Sequence, residues 1–183
     1  MSDGRRFRPV HWAGRFLRSL WPGGPDPAEM EWAASWLSER EVAMMRRMSD
    51  NDRRHAVAVA RGVDAALALP GAPELAEDES RAVMAAALLH DVGKTVAGLG
   101  TYGRVVATLS GLVAGDYAEA WQQTSGFTRK VGLYLRYTEL GADLLEVNEA
   151  HPWVVAWSRE HHHPEESWTI PVEVGRILAA ADG

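Results

Sequence analysis

Between its proline and glycine breaks this chain repeats apolar residues at helical spacing, and nowhere with the two-residue alternation of a half-buried strand. Amphipathic helices bury one stripe each, so a chain made only of them must build its core helix against helix. The breaks are Pro22-Gly23-Gly24-Pro25, Pro70-Gly71-Ala72-Pro73 and the stretch from Gly98 to Gly103. Asp26-Pro27 is an N-cap followed by proline at the first helical position, and it opens a helix through Trp32, Ala33, Trp36 and Leu37. Ser49 to Asp52 offers caps for the next helix, whose His55, Val59 and Val63 share an inward face beside Ala56, Ala60 and Leu67. A buried helix is expected from about Glu79 to Asp91, through Val83, Ala86, Ala87, Leu88 and Leu89, with Gly93 placed to break it. Further helices are expected over 102–114, 129–136, 138–147, 152–162 and 171–181, each opened by a cap residue or proline. The expected fold is all-α, a compact helical bundle with short links, and 183 residues suit one core.

The absence of cysteine removes disulfides, thiolate zinc sites and cysteine nucleophiles, so a metal would have to be held by His, Asp and Glu, which favours hard or borderline ions. A net charge of −6 argues against nucleic acid, whose binding draws on clustered Lys and Arg, and makes a small ligand more natural. Five arginines (Arg5, Arg6, Arg8, Arg15, Arg18) lie ahead of Trp21, with Phe16, Leu17 and Leu20 able to form an apolar stripe. A solvated arm docking a tryptophan on the domain is the expectation; a membrane-surface or partner-binding helix is the alternative. No apolar core of about 7–15 residues follows these arginines, and no apolar run reaches the roughly 20 residues of a membrane span, so the cytoplasm is the expected compartment. Of eight tryptophans, Trp12, Trp21, Trp32 and Trp36 precede the motifs below. They either fill the core or line a groove for a protein partner or a second copy of the chain.

Gly98-Leu99-Gly100-Thr101-Tyr102-Gly103 has the spacing of a dinucleotide-binding loop but follows a helix rather than a strand, so a loop near the site is the better reading. The His90-Asp91 pair is more informative. Neighbours on a helix point about 100° apart, and only a helix end lets an imidazole and a carboxylate reach one ion. At the finish of an apolar segment the pair is either coordinated or a solvated helix end with a local hydrogen bond. His161-His162-His163 ends the helix of Trp153 and Trp157, with His161 on their face; two of the three reach one pocket, or the run is a surface tract. His151 reads as a cap before Pro152. Asp182, four residues after Leu178, continues the inward face of the last helix, or frays as the penultimate residue.

In chain order His55, His90-Asp91-Val92-Gly93-Lys94, His161-His162 and Asp182 resemble the HD superfamily of metal-dependent phosphohydrolases. The segments RRHAVAVARGV (53–63), AALLHDVGK (86–94), ELGADLL (139–145), WSREHHH (157–163) and IPVEVGRILAAAD (170–182) look like successive blocks of that family. The resemblance implies an HD-type metal-binding helical domain over 49–183, with residues 1–48 as an arm and Trp-rich helices packed on it. It implies a divalent ion (Mn, Fe, Mg, Ni or Zn) held by His55, His90, Asp91 and Asp182, with His161 and His162 as further ligands or substrate contacts. The ion would activate a water against a nucleotide or another small phosphate ester, with Asp91 orienting the hydroxide and Lys94 offsetting charge on phosphoryl oxygens. The likeness is greatest to the cyclic-dinucleotide phosphodiesterase branch, yet the Gly-Tyr-Pro signature of that branch is absent here. Members with two ions carry a histidine four residues before the glycine that is Gly141 here, and this chain has Tyr137. A phenol is a poorer ligand than imidazole near neutral pH, so one tight ion is expected rather than two. The alternative is a non-catalytic HD module for ligand sensing or protein binding.

Overall fold

The caps read from the sequence set the first helices. Asp26 and Glu29 form a reciprocal capping box that starts α1 (Pro27–Ser35). Ser49 caps α3 (Asp50–Leu67), its hydroxyl accepting from the Asp52 amide. Between them lies α2 (Glu39–Arg47), a helix for which the apolar spacing offered no expectation; its start is written in the Ser38–Glu41 capping box instead. The computed structural model describes residues 23–98 and 118–183, and every regular element among them is helical. The arginine-rich arm with Trp12 and Trp21, the glycine pattern beyond Gly98 and the whole of the helix expected over 102–114 lie outside the described residues.

The centre of the molecule is α4 (Glu77–Leu89), in which Ala82 through Leu89 are all buried. A helix apolar on every side must be surrounded, and α4 touches α2, α3, α9 (Pro152–Glu160) and α10 (Val172–Asp182). Val83, Met84, Leu88 and Leu89 are at most 1% exposed and contribute roughly 1.5–3 kcal/mol each by burial. Residues 27–48 belong to this same core: Ala33, Leu37, Met44, Met45 and Met48 are buried in it, and the Arg61 guanidinium of α3 stacks 3.4 Å from the Trp32 ring. Trp157 is fully buried, and Trp32, Trp36, Trp153 and Trp168 pack on the core from its margins. A satellite cluster of Val131 and Leu133 with Trp121 and Tyr134 joins α6 (Ala118–Gln122) to α7 (Gly126–Leu135). No described helix is long and apolar enough to cross a membrane.

Near the His90-Asp91 pair two helix ends differ from the sequence expectation. The buried helix stops at Leu89, so His90 is its C-cap and Asp91 lies in the turn that leads into α5 (Lys94–Ala97). Gly93 does not break the helix through a left-handed conformation, because its dihedrals are right-handed (φ −63°, ψ −21°). The left-handed residue is Gly98 (φ 57°), which ends α5. What Gly93 supplies is room: a Cβ there would lie 1.8 Å from the Tyr137 carbonyl oxygen and 2.7 Å from the Gly141 nitrogen. Gly141 is also tight, though less so, since a Cβ on it would meet Ser158 Oγ at 2.7 Å. Through this pair of glycines the turn after α4 and the helix α8 (Tyr137–Val147) meet backbone to backbone, with the Ser158 side chain of α9 packed on Gly141.

Candidate metal centre

The polar residues singled out in the sequence arrive at one place from three helix ends and one helix interior. His55 projects from the second turn of α3, His90 and Asp91 follow α4, His161 caps the C-terminus of α9, and Asp182 is the last residue of α10. His90 and Asp91 are each 2% exposed. Asp182 is not frayed: its Oδ1 lies 2.8 Å from His55 Nε2 and 3.8 Å from His90 Nε2. His90 Nε2 stands 3.5 Å from Asp91 Oδ2, and the His55 and His90 rings meet edge to face at 5.4 Å.

His55, His90 and Asp91 each present one ligand atom, and these lie within 4.8 Å of one another, so the group could hold a metal ion. Ligands about 2.1 Å from one ion are at most about 4.2 Å apart, so only small shifts separate the three from a coordination shell. The tautomers suit that use. His90 Nδ1–H donates to the Ala87 carbonyl at 2.9 Å, so Nε2 is the nitrogen that faces Asp91 and Asp182 and whose lone pair an ion would use. Asp carboxylates only accept, so His90 Nε2 and the two carboxylates converge as electron-pair donors.

The His161 ring is oriented in the same way: its Nδ1–H points at the Trp157 and Ser158 carbonyls, both at 3.1 Å, and its Nε2 lies 4.0 Å from Asp91 Oδ1. Here, however, a proton is at hand. The Tyr137 hydroxyl, at the start of α8, lies 3.3 Å from His161 Nε2 and 2.5 Å from His162 Nε2. His162 is exposed, and His163 is exposed with no ring contact to the cluster among the described residues. The triple histidine is thus divided: one ring inside, one at the rim, one outside.

Charge in the centre follows from these placements. Burial works to raise the Asp91 pKa, but the Lys94 ammonium, His90 and His161 outweigh it and hold this carboxyl well below the usual range. Burial likewise works against the Lys94 charge, and Asp91 beside it reverses the sign, so Lys94 is raised. The two form an ion pair in which Lys94 Nζ donates to Asp91 Oδ2. Burial, then Asp91, pushes the Tyr137 phenol well above its ordinary value, so it keeps its proton. Burial and the neighbouring His90 and His162 bring His161 down to about 3, and burial lowers His162 as well, so the rings stay neutral near pH 7.

The sequence missed three contributors. Ser158, fully buried, donates to the His90 carbonyl at 3.4 Å. Asp52, buried one turn before His55, and Tyr134 both act electrostatically on Lys94. Asp52 had a usable signal, since three residues before His55 places it on the same helical face; Ser158 and Tyr134 had none. His151 is a cap, its Nδ1 accepting from the Trp153 amide at 3.2 Å. No known family model, curated protein or solved structure matches the chain.

Proposed function

We propose that this chain is a metal-dependent phosphohydrolase of the HD type, acting on a nucleotide or another small phosphate ester. The observation that carries the reading is the convergence of the His90 lone pair with the Asp91 and Asp182 carboxylates beside His55, an acceptor-rich, buried arrangement that a divalent cation would satisfy. His55, His90, Asp91 and Asp182 would hold one ion. Bound there, the ion supplies Lewis acidity: it lowers the pKa of a coordinated water and polarises phosphorus. Asp91, kept anionic and nearly inaccessible, is the chain's own group for orienting that water. Beside it, the protonated Tyr137 hydroxyl and the neutral His161 and His162 rings offer hydrogen bonds to phosphoryl oxygens, and Lys94 places a positive charge next to Asp91.

A non-catalytic HD module for ligand sensing is favoured by one feature, the Tyr137 hydroxyl that engages both His161 and His162 where a second ion would otherwise draw on them. The two readings separate on turnover. Metal-loaded protein (Mn, Mg, Fe or Ni) incubated with nucleotides, cyclic nucleotides and a chromogenic diester is expected to hydrolyse at least one of them. Asp91→Ala should abolish both turnover and metal uptake while far-UV circular dichroism keeps its helical signal, because Asp91 lies in a turn outside the helix core. A melting shift with nucleotide and no hydrolysis under any metal would replace the enzyme reading with the binding one.

A further inference from the structure

Lys94 Nζ donates to Asp91 Oδ2, and this same oxygen faces His90 Nε2 at 3.5 Å. The ammonium therefore rests on an oxygen that also faces the candidate ligand histidine. Asp91 is 3% exposed in its side chain, and a buried carboxylate with no cation is costly, so a chain without metal needs a positive group there. Lys94 is well placed to be that group and also to withdraw. It is only three residues from Asp91 and begins the short helix α5, and its ammonium lies 4.9 Å from the centre of the Tyr137 ring, whose face can hold a cation away from the carboxylate.

We propose that Lys94 is a tethered counter-cation: it neutralises Asp91 in the metal-free protein and must leave that oxygen when a divalent ion binds, so that the lysine limits the affinity of the centre for metal. The inference rests on the reading of this cluster as a metal centre. It gives Lys94 a role before any substrate arrives, as a competitor of the ion. A lysine that merely shaped the turn would stabilise the metal-free and metal-bound states alike. A competitor stabilises only the metal-free one.

The test compares wild type with Lys94→Met and Lys94→Arg by Mn titration calorimetry, and by melting of the metal-free proteins. For Lys94→Met the expected signs are opposed: a lower melting temperature without metal, and Mn affinity higher by about tenfold or more. Lys94→Arg, which keeps the charge, should bind Mn no more tightly than wild type. Unchanged or weaker Mn binding by Lys94→Met, or tighter binding by Lys94→Arg, overturns the inference. Lys94→Gln serves in place of Lys94→Met if the methionine variant does not fold. Mn uptake by wild type without tightening in the variant defeats the lysine's role alone, whereas no uptake by either protein defeats the metal-centre reading with it.

Discussion

The two halves of the polar cluster share Asp91 and are built alike, yet they differ in where their protons are. On the side of α3 and α10, His90 has its Nδ1 proton committed to a backbone carbonyl, and its lone pair meets Asp91 and Asp182. On the side of α8 and α9, His161 is committed in the same way, but Tyr137 brings a hydroxyl proton within reach of both His161 and His162. In the first half the His55 ring faces Asp182 and the Lys94 ammonium rests on Asp91; in the second the Tyr137 hydroxyl already serves the histidines as a hydrogen-bond donor. Ligand residues alone therefore do not make a metal site. The protons on their neighbours decide whether their lone pairs are available.

The largest effect should come from separating the halves. They are held together where Gly93 meets Tyr137 and Gly141, and Gly93→Ala would drive a methyl group into the Tyr137 carbonyl. Overpacking of backbone against backbone has no flexible side chain to yield, so a loss of at least about 3 kcal/mol is expected in urea unfolding. A loss below about 1 kcal/mol would mean that α5 and α8 slide apart easily and that the shared geometry at Asp91 is loose.

Acid should act next, and through the second half. His161 titrates at about 3 in the folded chain and near 6.5 when unfolded, and His162 is shifted in the same direction. The unfolded chain then binds more protons, so this stability is complete above about pH 6.5 and declines as pH falls toward 3. Asp91, also depressed, adds its loss only below about pH 4. Metal-free protein should lose up to about 2 kcal/mol through His161 between pH 7 and pH 5, and His161→Gln should flatten that slope. An unchanged slope in the variant would remove His161 as its source.

The smallest change in free energy, and the sharpest comparison, is Tyr137→His. Replacing the shared hydroxyl by an imidazole should turn the second half into a ligand set, and metal analysis after gel filtration should rise from about one ion per chain toward two, with the second held about tenfold more tightly than before. A ratio that stays at one would show that the hydroxyl is not what keeps the second ion out.

Much of this was legible because it is local. Asp26, Ser49 and His151 cap their helices as their residue types and the following residues suggest, and the all-apolar run from Ala82 to Leu89 demands a central position. The helix Glu39–Arg47 was hidden from apolar spacing, since five of its nine residues are Glu or Arg near its ends, although the Ser38–Glu41 pair marks its start. Gly93 illustrates the opposite limit. A glycine after a helix suggests a left-handed turn, but the reason for this one is a partner backbone 44 positions away at Tyr137, which no local pattern encodes.

By itself the sequence determined most of the described helices, several of their caps and the inward faces on which His55, His161 and Asp182 lie, because those follow from interactions within about four residues. Only the tertiary structure decided that Asp182, 127 residues from His55, is docked rather than frayed, that Tyr137 shares its proton with two histidines, and that Lys94 rests on Asp91. Those outcomes depend on how helices pack and on which proton faces which lone pair, and a hydrogen bond is decided over tenths of an ångström that sequence spacing does not specify.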